Sequence, residues 1–137
     1  IKRLIFENNK IAGAETDSDK FFADVVILAT GAWTSLIKTD GFLLPKIKPI
    51  RGQMIEFRTA KRLFSKVIYS PRGYLIQRQN GRILIGATSE DAGFEKKVSD
   101  FAGRVLHETA LEIAPSLVNL EISDSWTGLR PFALDGL

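Results

Sequence analysis

The first part of the chain shows two different hydrophobic patterns. Residues 4–14 form two short apolar stretches on either side of Asn8-Asn9, and asparagine tolerates the positive φ that a two-residue hairpin needs. Residues 24–31 contain instead a continuous apolar run without alternation. Such a run is typical of a strand covered on both faces in a parallel α/β sheet. The pattern therefore predicts a β-hairpin followed by a buried strand.

From residue 50 onward the pattern is that of short antiparallel strands. These strands are predicted at residues 51–57, 66–69, 74–79, 82–88 and 120–130. Asn80-Gly81 is the strongest hairpin signal of the chain, and a two-residue turn there would place Tyr74 opposite Ala87 and Ile76 opposite Ile85. The small Ala87 side chain would then leave space beside the Tyr74 ring.

One clear helix is predicted at residues 99–114, where Pro115 ends the helical pattern. Its predicted buried stripe consists of Val98, Phe101, Ala102, Val105, Ala110 and Ile113. His107 lies about 200° around the helix from Val105. We therefore expect His107 to be an exposed residue rather than a catalytic one.

These elements together predict an α+β fold in two parts. Residues 41–137 should form an antiparallel β-sheet with one main helix, and residues 1–40 the fringe of an α/β domain. The stretch from Asp40 to Pro49 is rich in glycine, proline and lysine. It is therefore the best candidate for a crossing between domains.

Composition narrows the possible functions. The chain has no cysteine and one histidine, which excludes disulfides and leaves no metal site to predict. Its net charge of +3 comes from scattered residues, so we expect a solvated surface and no nucleic-acid partner. No apolar run reaches the roughly 20 residues of a membrane span, and no signal peptide opens the chain. We expect a soluble, cytoplasmic protein.

The strongest candidate for binding chemistry lies near the end of the chain. Arg130 precedes Pro131, and a proline holds the preceding residue in extended backbone. A guanidinium in that setting offers two parallel donors to a carboxylate. The alternative is a strand-end arginine paired with a surface acid such as Asp124. Because Asp135-Gly136 predicts a turn into a further strand, and Ile1 already lies in a strand-like stretch, we interpret the chain as a piece of a larger protein.

Several motifs, in order, resemble those of FAD-dependent oxidoreductases of the D-amino-acid oxidase superfamily. The likeness is greatest to the glycine oxidase branch, which serves thiamine biosynthesis. The matching segments are residues 23–34, 49–53, 74–78, 81–90, 126–131 and 135–136. Each motif is weak alone, but the ordered set covers nearly the whole chain.

The resemblance implies a role for four residues. Arg130 falls on the arginine that binds the substrate carboxylate, and Tyr74 on a substrate-domain tyrosine that reaches the same group. Gly31 and Trp33 fall in the segment that returns to the cofactor. Structural alternatives remain open for three of them, since Tyr74 could be a half-buried sheet aromatic, Gly31 a tight turn and Trp33 a core residue. Gln77 departs from the pattern, because the family commonly has proline there.

The implied reaction is oxidative deamination of a small amino acid by hydride transfer to FAD, which needs no catalytic acid or base from this chain. Residues 1–40 would then belong to the FAD-binding domain, and residues 41–137 to a substrate-binding domain truncated before its closing flavin segment. No Gly-X-Gly occurs in the sequence, although a dinucleotide fold needs Gly-X-Gly-X-X-Gly. We expect the fragment alone to be inactive, to retain no FAD and to self-associate through exposed sheet surface.

Two alternatives remain. One is another branch with the same fold, such as sarcosine oxidase or a D-amino-acid dehydrogenase, which a substrate panel would separate. The other is a non-catalytic β-sheet binding module. The parent reading frame distinguishes the second case, because a flavoenzyme requires the Gly-X-Gly-X-X-Gly segment upstream.

Overall fold

The computed structural model describes residues 1–133 and 135. The chain divides into two compact units, one formed by Ile1–Pro49 with the segment that begins at Arg130, and the other by Ile50–Leu129. The strands are β1 (Arg3–Glu7), β2 (Lys10–Glu15), β3 (Lys20–Phe22), β4 (Ile47–Arg58), β5 (Ile68–Ser70), β6 (Gly73–Gln77), β7 (Arg82–Gly86) and β8 (Ile122–Ala133). One α-helix, α1 (Asp100–Ile113), and two 3-10 turns, Gly31–Leu36 and Pro115–Leu117, complete the elements of the described residues.

The first unit contains an antiparallel sheet in the order β1-β2-β3. Asn8 and Asn9 connect β1 to β2 with φ values of 49° and 62°. Asparagine adopts this left-handed backbone more readily than most residues. The hairpin predicted at residues 4–14 is therefore confirmed.

The buried strand predicted at residues 24–31 does not form. Residues 25–30 have no regular secondary structure, and the side chains of Val25 and Ile27 are 76% and 86% exposed. A strand covered on both faces needs a paired neighbour and packing on each face. Within the described residues this segment pairs with no strand, so Val25 and Ile27 remain uncovered, while Val26 and Leu28 are half-buried.

The second sheet has the strand order β5-β6-β7-β4-β8, which places β5 and β8 at its edges. The pairs β5–β6, β6–β7 and β4–β7 are antiparallel. All five strands predicted from residue 50 onward are present, with β4 beginning earlier than expected, at Ile47. The predicted antiparallel sheet with one main helix is confirmed.

The register of the β6–β7 hairpin differs by one residue from the prediction. Tyr74 pairs with Gly86 and Leu75 with Ile85, rather than Tyr74 with Ala87 and Ile76 with Ile85. The cause is a three-residue loop, in which the Arg78 amide donates to the Arg82 carbonyl at 2.7 Å and Gly81 has φ 80°. A type I turn followed by a left-handed glycine adds one residue to the loop and shifts every pair.

The core of the second unit lies between the sheet and α1. Its buried residues are Ile55, Phe57, Leu75, Ile83, Ile85, Leu106, Ala110, Ala114 and Leu117. Ser99 caps the helix by accepting a hydrogen bond from the Ala102 amide at 3.2 Å. The helix predicted at residues 99–114 is confirmed within one residue at each end.

The buried face of α1 is rotated relative to the prediction. Phe101, expected in the stripe, is 69% exposed, and Leu106, which the stripe left out, is buried. The buried positions 102, 106, 109 and 110 follow the i, i+4, i+7 spacing of one helix face. His107, expected to be exposed, is half-buried, and its ring centroid lies 5.8 Å from that of Phe57.

Candidate active site

Three residues of the second unit lie in one row across the sheet. Tyr74 in β6 pairs with Gly86 in β7, and Gly86 pairs with Met54 in β4. Directly paired residues project to the same face of a sheet. The half-buried Tyr74 ring therefore lies over Gly86 towards Met54, and its hydroxyl donates to the Met54 sulfur at 3.7 Å.

Gly86 provides the space that the Tyr74 ring occupies. A Cβ atom on Gly86 would lie 2.7 Å from the Tyr74 hydroxyl oxygen, 2.8 Å from its Cζ and 3.0 Å from the Met54 Cε. Separations under 3.0 Å are too short for any side chain at that position. The space predicted beside Tyr74 thus exists, but Gly86 creates it rather than Ala87.

Arg130 lies in β8, and its side chain is exposed. Pro131 continues the same strand, so the extended backbone predicted for Arg130 is confirmed. Arg130 belongs to the first unit and Tyr74 to the second. Of the predicted Asp135-Gly136 turn, Asp135 has turn conformation, whereas Gly136 lies outside the described residues.

Gly31 and Trp33 lie in the 3-10 turn of the first unit. Gly31 has φ 52°, and apart from Gly31 and its two chain neighbours no heavy atom of the described residues comes within 4 Å of a Cβ built on it. Its left-handed backbone accounts for the glycine as a tight turn, while the open space leaves room for a ligand to approach. Trp33 is 42% exposed, which argues against a core role. The two residues fit contact with a flavin nucleotide, but they include none of the phosphate-binding glycines.

A half-buried ion pair that sequence analysis missed supports the second unit. Arg51 in β4 donates from Nη2 to the Glu90 Oε2 at 2.7 Å and from Nε to the same oxygen at 3.2 Å. Its Nη1 donates to Glu95 at 3.0 Å. Since Arg51 and Glu90 are 39 residues apart, no local pattern pairs them. The two charges do, however, belong to two of the motifs that carry the family resemblance.

Gln53 extends this ion pair to the start of the helix. Its buried amide donates to the Glu90 Oε1 at 2.8 Å and to the Ser99 Oγ at 3.3 Å, and its carbonyl accepts from the Ser99 amide at 2.8 Å. Thr88 also donates its hydroxyl to Glu90. The cluster formed by Arg51, Gln53, Thr88, Glu90 and Ser99 therefore ties β4, the segment after β7 and the N-terminus of α1 together.

The charges in this cluster shift each other's protonation. Burial raises the pKa of Glu90, but hydrogen bonds from Thr88, Gln53 and Arg51 outweigh burial and hold the pKa below its ordinary value. Hydrogen bonding to Glu90 raises the pKa of Arg51. Both groups are consequently ionised at neutral pH, and the cluster holds its place as a charged pair.

The described residues contain neither a metal centre nor a membrane span. No group of three or more His, Asp or Glu side chains in residues 1–133 and 135 is arranged to hold a metal ion. In the same part of the chain, no helix combines the length and apolar character needed to cross a membrane.

Comparison with known proteins places these features in a family. Glycine oxidase of Pseudomonas putida is 34% identical over 138 residues, which cover 100% of this chain and 38% of that protein. The crystal structure of glycine oxidase from Bacillus cereus matches with a TM-score of 0.86 at 29% identity, over 98% of this chain and 38% of that one. L-proline dehydrogenase from P. horikoshii matches with a TM-score of 0.80 at 26% identity, over 94% of this chain and 36% of that one.

The chain thus spans well under half the length of the relatives it matches. All residues of this chain, 1–137, also match the family described as FAD dependent oxidoreductase. The resemblance predicted from the ordered motifs is confirmed. The chain belongs to the FAD dependent oxidoreductase family.

Proposed function

We propose that this chain is the substrate-binding part of a flavin-dependent enzyme that oxidises glycine or another small amino acid. Arg130 carries the proposal, because it is an exposed guanidinium on an extended strand in a chain that belongs to an FAD-dependent family. In this proposal Arg130 binds the substrate carboxylate through two parallel N–H donors. Bound flavin supplies the electron acceptor for the oxidation.

Tyr74 is proposed as a second substrate contact. Among the described residues, the hydrogen-bond partner of its hydroxyl is the Met54 thioether at 3.7 Å, and a thioether sulfur is a weak acceptor. The phenol proton therefore gives up little when it turns to a carboxylate oxygen. Gly86 supports this role, because a larger residue would displace the ring.

The chain's own part in catalysis is to fix the position of the substrate. Orientation of the reacting groups accounts for a large share of the barrier reduction in such reactions. We propose no acid or base among its residues, and Gly31 and Trp33 are proposed as contacts to the nucleotide part of the cofactor. Alone, without the rest of the enzyme, the 137-residue chain is proposed to be inactive.

Steady-state kinetics of the full-length protein with glycine test the role of Arg130. Arg130→Lys keeps the charge but loses the two-pronged geometry, so kcat/KM should fall about 10- to 150-fold, corresponding to a charged hydrogen bond of roughly 1.5–3 kcal/mol. Tyr74→Phe removes one neutral donor and should cost about 2- to 12-fold. Flavin absorbance should be unchanged in both variants.

The matched control is Arg104→Lys, which makes the same replacement at an exposed position of α1. Its kinetics should equal those of the unmodified enzyme. If Arg130→Lys also behaved like the unmodified enzyme, Arg130 would not bind the substrate. If Arg130→Lys lost its flavin, Arg130 would act on the cofactor instead.

A dehydrogenase is the second candidate, favoured by the match to L-proline dehydrogenase. The two candidates differ in the compound that reoxidises the flavin. Oxygen consumption with glycine supports the oxidase. Turnover only with an artificial quinone-type acceptor, in a panel that includes proline and sarcosine, supports the dehydrogenase.

A further inference from the structure

A groove lies at the tip of the β6–β7 hairpin, within the second unit. It encloses about 690 Å³ between the hairpin loop and residues 58–64. Four of its eleven lining residues are Arg58, Lys61, Arg62 and Arg78, and none is acidic. Volumes of this size are typical of small-molecule sites.

Gln77 fixes the wall of this groove. Its Oε1 accepts hydrogen bonds from the Leu63 amide at 2.8 Å and the Phe64 amide at 2.9 Å, while its Nε2 donates to the Lys61 carbonyl at 2.7 Å. One side chain thus satisfies three backbone groups of the segment that carries Lys61 and Arg62. A proline at position 77, which the resembling family commonly has there, could make none of these bonds.

The positive charges in the groove are incompletely balanced. The buried Glu56 accepts from the Arg58 Nε at 2.9 Å and from the Arg82 Nη2 at 2.6 Å, so one carboxylate faces two guanidinium groups. Arg58 nevertheless remains 67% exposed. Among the described residues, Lys61, Arg62 and Arg78 form no ion pair. Arg82 borders the groove. The five cations Arg58, Lys61, Arg62, Arg78 and Arg82, together with the single anion Glu56, give a local net charge of +4, which exceeds the +3 of the whole chain.

We infer that this groove binds a small, multiply charged anion of the organic diphosphate class. Arginine forks match phosphate oxygens in geometry, and lysine adds a compact charge. The hydrogen bonds of Gln77 hold the segment with Lys61 and Arg62 in place before the ligand arrives, which lowers the ordering cost of binding. The four cationic side chains Arg58, Lys61, Arg62 and Arg78 line one groove rather than an extended track, which favours a small anion over a nucleic acid.

Isothermal titration calorimetry of the full-length, flavin-loaded protein with inorganic pyrophosphate tests the inference. The loaded protein is used so that its flavin occupies the cofactor's own diphosphate site. Saturable binding is expected, and it should weaken as KCl rises, because exposed charges are screened. Lys61→Ala/Arg62→Ala should weaken binding about tenfold, since two exposed charge contacts are lost.

Two further variants sharpen the test. Lys97→Ala/Arg104→Ala removes the same number of exposed positive charges away from the groove, and it should bind pyrophosphate like the unmodified protein. Gln77→Leu changes no charge but frees the 61–64 segment, so a loss of a few-fold in affinity would show that preorganisation matters. Kinetics with glycine should be unchanged in all three variants, which separates this inference from the proposed function.

Three results would overturn the inference. The first is no saturable binding of pyrophosphate at millimolar concentration. The second is an equal loss in both double variants, which would show an unspecific charge effect. The third is tighter binding of a glutamate-rich peptide than of pyrophosphate, which would assign the groove to an acidic protein segment.

Discussion

Tyr74 and Gly86 are cross-strand partners, and a Cβ atom on Gly86 would lie 2.7 Å from the Tyr74 hydroxyl oxygen. The position of the tyrosine ring thus depends on a residue that has no side chain. Any larger residue at 86 must push the ring away or shift β7. Gly86 therefore controls the position of Tyr74, the proposed substrate contact.

We expect Gly86→Ala to reduce kcat/KM of the full-length enzyme at least as much as Tyr74→Phe does. Overpacking should also lower the free energy of unfolding by about 1–3 kcal/mol. Kinetics with glycine and urea unfolding measure the two effects. Gly103→Ala is the control, because a Cβ atom at Gly103 in the first turn of α1 would meet no atom within 4 Å apart from the adjoining backbone of the helix. That variant should gain about 0.5–1 kcal/mol and keep its activity.

Because of the Arg51–Glu90 pair, the free energy of unfolding should decrease as the pH falls into the acidic range. The pKa of Glu90 is below its ordinary value of 4.5 in the folded protein. A depressed carboxyl pKa contributes stability that is present above the unfolded-state value and is lost as pH falls through the folded-state value. Urea unfolding of the full-length protein between pH 7 and pH 3 should show the unmodified protein losing more stability below pH 4.5 than Glu90→Gln does.

The raised pKa of Arg51 does not contribute to the pH dependence of stability between pH 7 and pH 3, because its guanidinium stays charged throughout. Glu121→Gln is the matched control, since Glu121 is exposed and forms no ion pair among the described residues. Its acid dependence should equal that of the unmodified protein. Parallel stability curves for the unmodified protein and Glu90→Gln would show that the pair contributes nothing to the acid transition.

Purification of the 137-residue chain tests where the cofactor is anchored. The sequence has no Gly-X-Gly, and Gly31 and Trp33 alone offer no diphosphate site. We expect a colourless solution without visible flavin absorbance, even after incubation with FAD. A yellow chain that kept FAD through gel filtration would place the anchor inside these residues.

The exposed apolar side chains near residues 21–27 should cause the 137-residue chain to associate with itself. Val25 and Ile27 are mostly exposed, and Phe21 and Phe22 of β3 are 58% and 62% exposed. Contiguous apolar surface of this kind, beside an edge strand, favours association. Light scattering should give a mass above that of one chain, and Val25→Asp/Ile27→Asp should bring it closer to the monomer. A monomeric mass for the unmodified chain would contradict this expectation.

Local sequence signals predicted the elements well and their relationships less well. Asn8-Asn9 marked a hairpin because its backbone requirement is local. Asn80-Gly81 marked the second hairpin, but the sequence did not show whether two or three residues form its loop, and that difference shifts the partner of Tyr74 from Ala87 to Gly86. Turn type depends on how β6 and β7 fit the rest of the sheet, which a short sequence window does not contain.

The contacts that stabilise the second unit were harder to predict because they join distant residues. Arg51 and Glu90 are 39 residues apart, and Gln53 and Ser99 are 46 apart. In the sequence, Arg51, Gln53 and Glu90 each looked like one residue of a motif, and Ser99 looked like the start of the helix. Gln77 was noticed only because it departs from the family pattern. Its three hydrogen bonds to the 61–64 segment give that departure a physical reason.

The arrangement of strands in the second sheet also predicts the order in which those strands assemble during folding. β8 lies at the sheet edge beside β4, and two side-chain contacts join them, Ser123 to the Glu56 carbonyl at 3.1 Å and Thr127 to the Gly52 carbonyl at 3.1 Å. These contacts span 67 and 75 residues, whereas the β6–β7 hairpin closes locally. Closing a long loop costs entropy that a hairpin avoids. β8 should therefore join after the hairpins, so that the strand bearing Arg130 completes the sheet only when its other strands are in place.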